Sequence, residues 1–320
     1  MGVPQELGRT NGEPLSPSEV RKRTRGIFSD YAQRANLILH PMVEKGEGKN
    51  VLGSVPGRPD DEQYQIDAMG EAILINFVRD ATLPALVFGE HNIYDHSDGK
   101  PQVIFAIDSY DNSTEYSMGL DTPVYSVLGA YNPDGSPIGA VILDIRGQKA
   151  YVSIKKVNHI IDLSSIGRPP QEIEPLPMIN SIQDDRLTIA TYLGSNDYSL
   201  KFVDNFRDLV ENMPKKSRIY PNGGSFIYAF LATGAVDSYI MFDEPNSEIL
   251  PGLPIALAAG CVASSVDLVS GGVEEYKKFN TDFIKNPEGY TDGAVDLFIV
   301  ARSLQLRDEI VEYYLKGRKD

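Results

Sequence analysis

The sequence predicts a layered α/β (α+β) fold, in which helices and mixed β-sheets pack in alternating layers. Segments with helical spacing of apolar residues alternate with short apolar runs that are typical of buried strands. The clearest of these runs, VIFAI at 103–107, ends abruptly in a carboxylate, Asp108. A stretch of strands separated by turn sequences follows it, which indicates an antiparallel meander.

In the first half of the chain, helical spacing predicts a helix over 17–45 and a second over about 63–80. The segment between them, 46–62, is rich in Gly and Pro and is expected to be a loop. A short strand (LPALVFGE) and a polar loop (HNIYDHSDGK) should precede the strand that ends at Asp108. The meander is expected in VYSVLGAYNPDGSPIGAVILDIRGQKAYVSI, because Asn-Pro-Asp-Gly and Arg-Gly-Gln are good turn sequences.

The second half alternates strand and helix patterns. In order they are LTIATYL, a helix near 199–213, RIYPNGG, a helix SFIYAFLAT, AVDSYIMF, an apolar helix PIALAAGCVASSV, LFIVAR and a charged helix LRDEIVEYYLKG. The Pro-rich stretch 165–180 is expected to connect the two halves. The predicted organisation is therefore a flexible arm (1–16), an N-terminal half (17–170) and a C-terminal half (171–320).

Composition excludes several classes of protein. A formal net charge of −15 over 320 residues argues against nucleic acid as a partner, and the short basic run at 21–25 (RKRTR) is expected to decorate the first helix. No apolar run is long enough to span a membrane, and the polar N-terminus lacks the apolar region of a signal peptide. A single cysteine, Cys261, excludes an intrachain disulfide and a cysteine-based zinc site. We expect a cytoplasmic protein without a membrane partner.

Residues 103–116 (VIFAIDSYDNSTEY) carry the strongest indication of chemistry. Asp108 and Asp111 follow the apolar run, and the Asn-Ser-Thr that comes next suits the start of a helix. Carboxylates bind hard cations such as Mg²⁺, and N–H groups at a helix N-terminus bind phosphate. The combination suggests metal-assisted phosphate chemistry, although D-x-x-D alone is also a common turn sequence.

The order of these segments resembles the inositol monophosphatase-like superfamily, which includes the fructose-1,6-bisphosphatases. Asp67 in YQID, Glu90 in FGE and the D-x-x-D of Asp108 and Asp111 occur in the family's order and close to its spacing. The meander also matches, and GGSFIYAFLATGAVDSY and LFIVARSLQLRDEIVEYY resemble later segments of the family. The resemblance implies a five-layer α-β-α-β-α sandwich and a Mg²⁺-dependent phosphatase of the lithium-sensitive type.

The resemblance also implies the metal ligands. Glu90 and Asp108, helped by the Tyr110 carbonyl, would bind a first Mg²⁺ ion. Asp108 and Asp111 would bind a second.

Three further residues receive roles in catalysis from the same resemblance. Asp67 and the Ser113 hydroxyl would orient the attacking water, and the backbone N–H groups of Asn112 and Ser113 would bind the phosphate. Asn112 and Ser113 replace the family's usual Gly-Thr. Asn tolerates unusual backbone angles and Ser keeps the hydroxyl, so the change is mild.

The sequence departs from the family pattern at the acid that completes the second metal site, which the family places in a W-D-x-A-A-G or E-x-x-P-x-A context. When 253–260 (LPIALAAG) is matched to it, Ala256 falls at the acid, and an alternative alignment places Pro251 there. Neither side chain binds a cation. The second site is therefore expected to be weak unless Glu248 or Asp243 reaches it.

Other candidate residues favour structural roles. His91 and His96, with Asp95 and Asp98, are better explained as a solvated loop than as a transition-metal cluster, because no histidine pair has helical i, i+4 spacing. Asp237 matches a family position but is expected to serve the fold.

Two functions from different classes follow. The first is a phosphomonoesterase acting on a small sugar or polyol phosphate, with inositol-1-phosphate and fructose-1,6-bisphosphate as leading substrates and a 3′-phosphoadenosine 5′-phosphate nucleotidase less favoured. The second is a binding or regulatory protein that kept the fold and lost turnover with the missing acid. A homodimer is expected from the family.

Overall fold

The computed structural model describes residues 14–55, 58–89, 93–154, 157–165, 168–281 and 293–317. The helices are α1 (Pro17–Lys45), α2 (Gln65–Asp80), α3 (Ser113–Ser117), α4 (Asn196–Asn212), α5 (Ile227–Thr233), α6 (Asn246–Ala258) and α7 (Leu304–Gly317). None of the described helices is both long enough and apolar enough to cross a membrane.

The strands form a hairpin and two larger sheets. The hairpin is β1 (Val51–Val55) with β2 (Arg58–Tyr64). The first large sheet contains β3 (Ala85–Gly89), β4 (Ile93–His96), β5 (Val103–Asp111), β6 (Tyr125–Tyr131), β7 (Pro137–Asp144), β8 (Lys149–Ile154), β9 (Val157–Asp162) and β10 (Gln171–Glu172). Its strand order is β10-β9-β8-β7-β6-β5-β3-β4.

The second large sheet contains β11 (Thr188–Ala190), β12 (Arg218–Tyr220), β13 (Ser238–Pro245), β14 (Val262–Val266), β15 (Val273–Glu275) and β16 (Ala294–Ala301). Its strand order is β12-β11-β13-β16-β14-β15, with parallel pairing at β11 and antiparallel pairing elsewhere. The stretch 173–187 joins the two sheets without forming a strand or helix.

Five layers of helices and sheets pack around three apolar cores. One lies between α1 and α2 and the outer face of the eight-stranded sheet. A second lies between the two sheets and encloses α5 and α6, and a third packs α4 and α7 on the far face of the six-stranded sheet. The predicted α-β-α-β-α sandwich is therefore confirmed.

Helix α1 has the bounds that the sequence predicts. Ser16 caps its first turn by accepting a hydrogen bond from the Glu19 N–H (3.2 Å), and Pro17 occupies the first helical position. The helix ends at Gly46, whose left-handed backbone (φ 69°) suits glycine.

Three local predictions were wrong. The expected loop at 46–62 contains the β1–β2 hairpin, and the expected polar loop after β3 contains the strand β4, which pairs with β3. The predicted apolar helix beginning at Pro254 instead starts at Asn246 and ends at Ala258. The Val-Ala-Ser-Ser-Val that follows forms β14 because it pairs with β16, which overrides the helical pattern.

Strand β5 carries the site. It lies between β3, which runs parallel to it, and β6, which runs antiparallel, and all nine of its residues are buried. Helix α2 covers one face and α6 the other, which explains the unbroken apolar run. Its pairing with β6 becomes irregular between Asp108 and Asp111, so the strand opens where its carboxylates begin.

Candidate active site

The two acids of the D-x-x-D motif lie at the carboxyl end of β5. Asp108 and Asp111 are buried, with exposed fractions of 4% and 6%. The chain then turns at Asn112, whose left-handed backbone (φ 68°) suits asparagine, and enters the short helix α3. The Asn112 side chain fixes this turn because its Nδ2 donates to the Pro123 carbonyl (2.9 Å).

A third carboxylate comes from the second half of the chain. Glu248 is the third residue of α6, in the first turn, where the helix dipole favours a negative side chain. One oxygen from each of Asp108, Asp111 and Glu248 lies within 4.8 Å of the others. Two residues 140 positions apart in sequence therefore meet at one point.

The group is crowded with negative charge. Burial raises the pKa of Asp111 well above its usual range, and the neighbouring Glu248 raises it further. A hydrogen bond from the Phe226 N–H opposes the shift, while Glu244 and Glu115 add to it. A cation would offset this repulsion, and an all-oxygen, carboxylate-rich set of donors fits a hard divalent ion such as Mg²⁺.

The three carboxylates face a cleft of about 230 Å³. Its other lining residues are mainly polar or aromatic and include Ser113, Thr114, Glu115, Tyr192, Tyr198 and Glu244. They come from both halves of the chain. Ser113 and Glu115 belong to α3, which follows β5, whereas Tyr198 belongs to α4 and Glu244 to β13. Ligand pockets are common at such junctions.

The loop at 223–226 of the second half, called the glycine loop below, contacts Asp111 directly. The Phe226 N–H donates to Asp111 Oδ2 (2.9 Å). Gly224 has φ +112°, and a Cβ placed on it would lie 2.5 Å from Asp111 Oδ1. Only glycine fits this backbone and this approach.

Tyrosine hydroxyls hold two further carboxylates at the edge of the cleft. Tyr192 donates to Glu115 Oε1 (3.0 Å), and Tyr239 donates to Glu244 Oε1 (2.8 Å). Burial raises the pKa of both tyrosines, so their hydroxyls stay protonated as donors. These hydroxyl groups orient the side chains of Glu115 and Glu244.

The structure places Asp67 beside β5 but not in the described lining of the cleft. Its Oδ2 accepts a hydrogen bond from the Tyr64 N–H (2.7 Å), which caps α2. Its carbonyl oxygen accepts from the Ser109 hydroxyl (2.7 Å), which ties α2 to the strand end. Asp67 therefore lies next to Ser109, one residue after Asp108.

The remaining predicted residues lie at the cleft or outside the described structure. Tyr110, Asn112 and Ser113 line the cleft together with Asp108 and Asp111. The Tyr110 ring packs on Tyr116 (5.3 Å between centroids). Glu90 and His91 lie outside the described residues.

The second site was expected to be weak unless Glu248 or Asp243 reached it, and the structure brings Glu248 to the acidic group. Ala256 is fully buried in the core between the sheets, and Pro251 lies inside α6. Glu248-Ile-Leu-Pro251 itself matches the first four positions of the E-x-x-P-x-A context, so the sequence contained the signal one turn earlier. Asp243 does not join the group, because it pairs with Lys201 (2.6 Å).

Two of the other candidates, Asp237 and Asp95, have structural partners. Asp237 forms a buried ion pair with Arg302 (3.3 Å), as its expected role in the fold requires. Asp95 accepts hydrogen bonds from the backbone N–H and hydroxyl of Ser97, as a turn residue does.

Comparison with known proteins bears on the fold alone. No protein-family model matches the chain, and no curated protein matches it in sequence. Solved structures do match over nearly the whole length. The IMPase of Thermotoga maritima is 18% identical with a TM-score of 0.64, and the match covers 92% of this chain and 98% of that one.

Two other structures give the same result. The suhB extragenic suppressor protein of Bartonella henselae is 14% identical (TM-score 0.61; 93% of this chain, 99% of that one). Inositol monophosphatase II of Staphylococcus aureus, with inositol monophosphate bound, is 15% identical (TM-score 0.62; 95% and 98%). The chain therefore has the fold of the inositol monophosphatase-like superfamily, as the resemblance in its sequence predicted.

Proposed function

We propose that this chain is a Mg²⁺-dependent phosphatase that hydrolyses the monophosphate ester of a small polyol or sugar. The observation that carries the proposal is the group of Asp108 and Asp111, which are buried, and Glu248, which is half-buried; their carboxylate oxygens converge in the cleft. A protein gains nothing in stability from bringing three carboxylates this close together when two of them are buried, so the arrangement points to a bound cation.

The acidic group would hold the metal, and the resemblance adds Glu90 and the Tyr110 carbonyl to it. Bound Mg²⁺ would supply charge neutralisation for the phosphate and would lower the pKa of the attacking water. Glu248 takes the place that Ala256 and Pro251 leave empty in the predicted ligand set.

The residues around the strand end would position the reactants. Ser113 lines the cleft, and Asp67, in the first turn of α2, is hydrogen-bonded to Ser109 of β5. In this proposal Asp67 and the Ser113 hydroxyl orient the attacking water, and the backbone N–H groups of Asn112 and Ser113 bind the phosphate.

The lining of the cleft favours a hydroxyl-rich alcohol with one phosphate. Glu115 and Glu244 accept hydrogen bonds, as sugar or polyol hydroxyls require, and Tyr192 brings an aromatic face. A second phosphate on the substrate would meet these two carboxylates and be repelled. We therefore favour a monophosphate such as inositol-1-phosphate over fructose-1,6-bisphosphate.

Proteins with the same fold support a phosphorylated small molecule as the substrate. The Staphylococcus aureus enzyme is seen with inositol monophosphate and, in another structure, with 2′-AMP. A homodimeric, cytoplasmic enzyme with separate N- and C-terminal halves stays a prediction from the sequence. The alternative of a binding protein that lost turnover rested on the missing acid, whose place Glu248 takes in this proposal.

Phosphate release from a panel of inositol, sugar and nucleotide monophosphates, with and without Mg²⁺, tests the proposal. We expect turnover of at least one polyol or sugar monophosphate, with Mg²⁺ required and EDTA inhibitory. Fructose-1,6-bisphosphate serves as the bisphosphate comparison. Turnover that persists in EDTA, or its absence across the panel, would contradict the proposal.

A further inference from the structure

We propose that Tyr239 and Glu244 are positioning residues that hold Asp111 in the orientation needed to bind the cation. The inference rests on the proposed function, since it assigns Asp111 as a ligand. Neither residue belongs to the D-x-x-D motif or to the group of three close carboxylates. Both act through the glycine loop at 223–226.

The first step is a pair of hydrogen bonds through one hydroxyl group. The Gly224 N–H donates to the Tyr239 hydroxyl oxygen (3.0 Å), and the same hydroxyl donates to Glu244 Oε1 (2.8 Å). Tyr239 and Glu244 are 0% and 1% exposed, so both bonds lie in the interior. A hydroxyl that accepts one bond and donates another has a fixed orientation, and buried networks of this kind are rigid.

The second step joins the loop to the ligand. Gly224 is packed against the Asp111 carboxylate, and two residues later the Phe226 N–H donates to Asp111 Oδ2. The Phe226 ring stacks on Tyr125 of β6 (4.5 Å between centroids), which holds the far end of the loop. Tyr239 therefore fixes one side of the loop that orients Asp111, and β6 fixes the other.

The third step concerns the role of Glu244 itself. Its Oε1 accepts the hydrogen bond from the Tyr239 hydroxyl. Glu244 is not a member of the group formed by Asp108, Asp111 and Glu248. Its contribution is to keep the Tyr239 hydroxyl pointing away from Gly224, so that the hydroxyl oxygen can accept. Groups that orient metal ligands in this way typically change metal affinity by about 10- to 100-fold when removed.

Binding of Mn²⁺, measured by electron paramagnetic resonance, tests the role of Tyr239. Tyr239→Phe removes only the hydroxyl and is expected to weaken Mn²⁺ binding by about tenfold. Tyr228→Phe is the matched control. The Tyr228 hydroxyl is buried beside Tyr239 (6.0 Å between ring centroids) and makes no hydrogen bond with the described residues. This control should bind Mn²⁺ as the unmodified protein does.

Two substitutions of Glu244 separate positioning from direct charge. Glu244→Gln keeps an oxygen that accepts from Tyr239 and should retain Mn²⁺ affinity within about threefold, whereas Glu244→Ala removes the acceptor and should weaken it by about tenfold. This pair also carries the test if Tyr239→Phe fails to fold. Equal weakening by both substitutions would show that the charge of Glu244 acts directly, and would overturn the inference.

The remaining outcomes distinguish the inference from the proposed function. If the unmodified protein binds no Mn²⁺, the proposed function fails and the inference fails with it. If the unmodified protein binds Mn²⁺ and Tyr239→Phe binds it equally well, the positioning role alone is wrong. Weakening by Tyr228→Phe to the same degree would also overturn it, because any lost hydroxyl in this core would then have the same effect.

Discussion

Two buried aspartates of this molecule, Asp111 and Asp237, have opposite surroundings. Asp237 accepts a hydrogen bond from the Thr188 N–H (3.0 Å) and pairs with the Arg302 guanidinium, whose side chain is 6% exposed. Asp111 accepts from the Phe226 N–H (2.9 Å), and its neighbouring carboxylates Glu248, Glu244 and Glu115 raise its pKa.

Burial raises the pKa of both acids, but different neighbours then act on them. At Asp237, Thr188 and Arg302 oppose the effect of burial. At Asp111, Glu248 and other acids reinforce it. The first aspartate has its cation built into the chain, whereas in our proposal the second receives one from solution. A buried acid is thus a structural or a functional residue according to the charge that the fold places next to it.

The largest effect expected is on activity, from Asp108→Asn or Asp111→Asn. Either change removes one charge from the cation site, which should lower Mg²⁺-dependent phosphate release by about 1000-fold, since metal assistance contributes several kcal/mol. Removing a like charge relieves repulsion, so the melting temperature of the metal-free protein should stay equal or rise.

Thermal melting in EDTA is the control for these two variants. A fall in metal-free stability would mean that the carboxylates hold the fold, and unchanged activity would remove them from the site.

Asp237→Ala should show the reverse pattern. It leaves the Arg302 charge buried without its partner, which should lower the free energy of unfolding by about 3 kcal/mol. Mn²⁺ affinity should be unchanged, since Asp237 pairs with Arg302 and lies outside the acidic group. Urea denaturation and Mn²⁺ titration of the same preparation measure both quantities. Loss of Mn²⁺ binding in a folded Asp237→Ala protein would contradict the purely structural role of Asp237.

Glu248→Gln tests whether the second half completes the site. We expect about 10- to 100-fold weaker binding of one metal ion, because a neutral amide oxygen replaces a charged ligand. Isothermal titration with Mn²⁺ should resolve the affected ion from the other.

Ala256→Asp is the informative contrast to Glu248→Gln. It would place a carboxylate in the apolar core between the sheets, so it should destabilise the protein and should not strengthen metal binding. Tighter binding of the second ion by Ala256→Asp would show that position 256, and not Glu248, corresponds to the family's acid.

The sequence predicted the first-half residues of the candidate site because their signals are local. Asp108 and Asp111 follow an apolar run within one strand, and the cap at Ser16 lies directly before its helix. The five-layer order also followed from the resemblance, since it needs only the succession of elements.

The second-half residues around the site depend on long-range contacts, which no local sequence pattern indicates. Phe226 meets Asp111 across 115 positions, and Tyr239 meets Gly224 from a different element. The sequence offered Glu248 and Asp243 as alternatives for the last carboxylate, and only the fold distinguishes them, because Glu248 meets the acidic group whereas Asp243 pairs with Lys201. The strands β4 and β14 were missed because pairing with neighbouring strands, and not intrinsic propensity, decides their conformation.

The smallest effect expected comes from Gly224→Ala, which moves Asp111 without changing its charge. Gly224 (φ +112°) and Gly260 (φ +89°) both have backbones that disfavour alanine, but a Cβ on Gly260 meets no atom within 4 Å. Each substitution should therefore lower the free energy of unfolding by about 1–3 kcal/mol through backbone strain. Only Gly224→Ala should also weaken Mn²⁺ binding, by several-fold to about tenfold, because its methyl group displaces the Asp111 carboxylate. Comparing Mn²⁺ affinities of the two folded variants isolates the contact from the strain. Equal affinities would show that Asp111 can shift without cost, and that the glycine loop does not hold it.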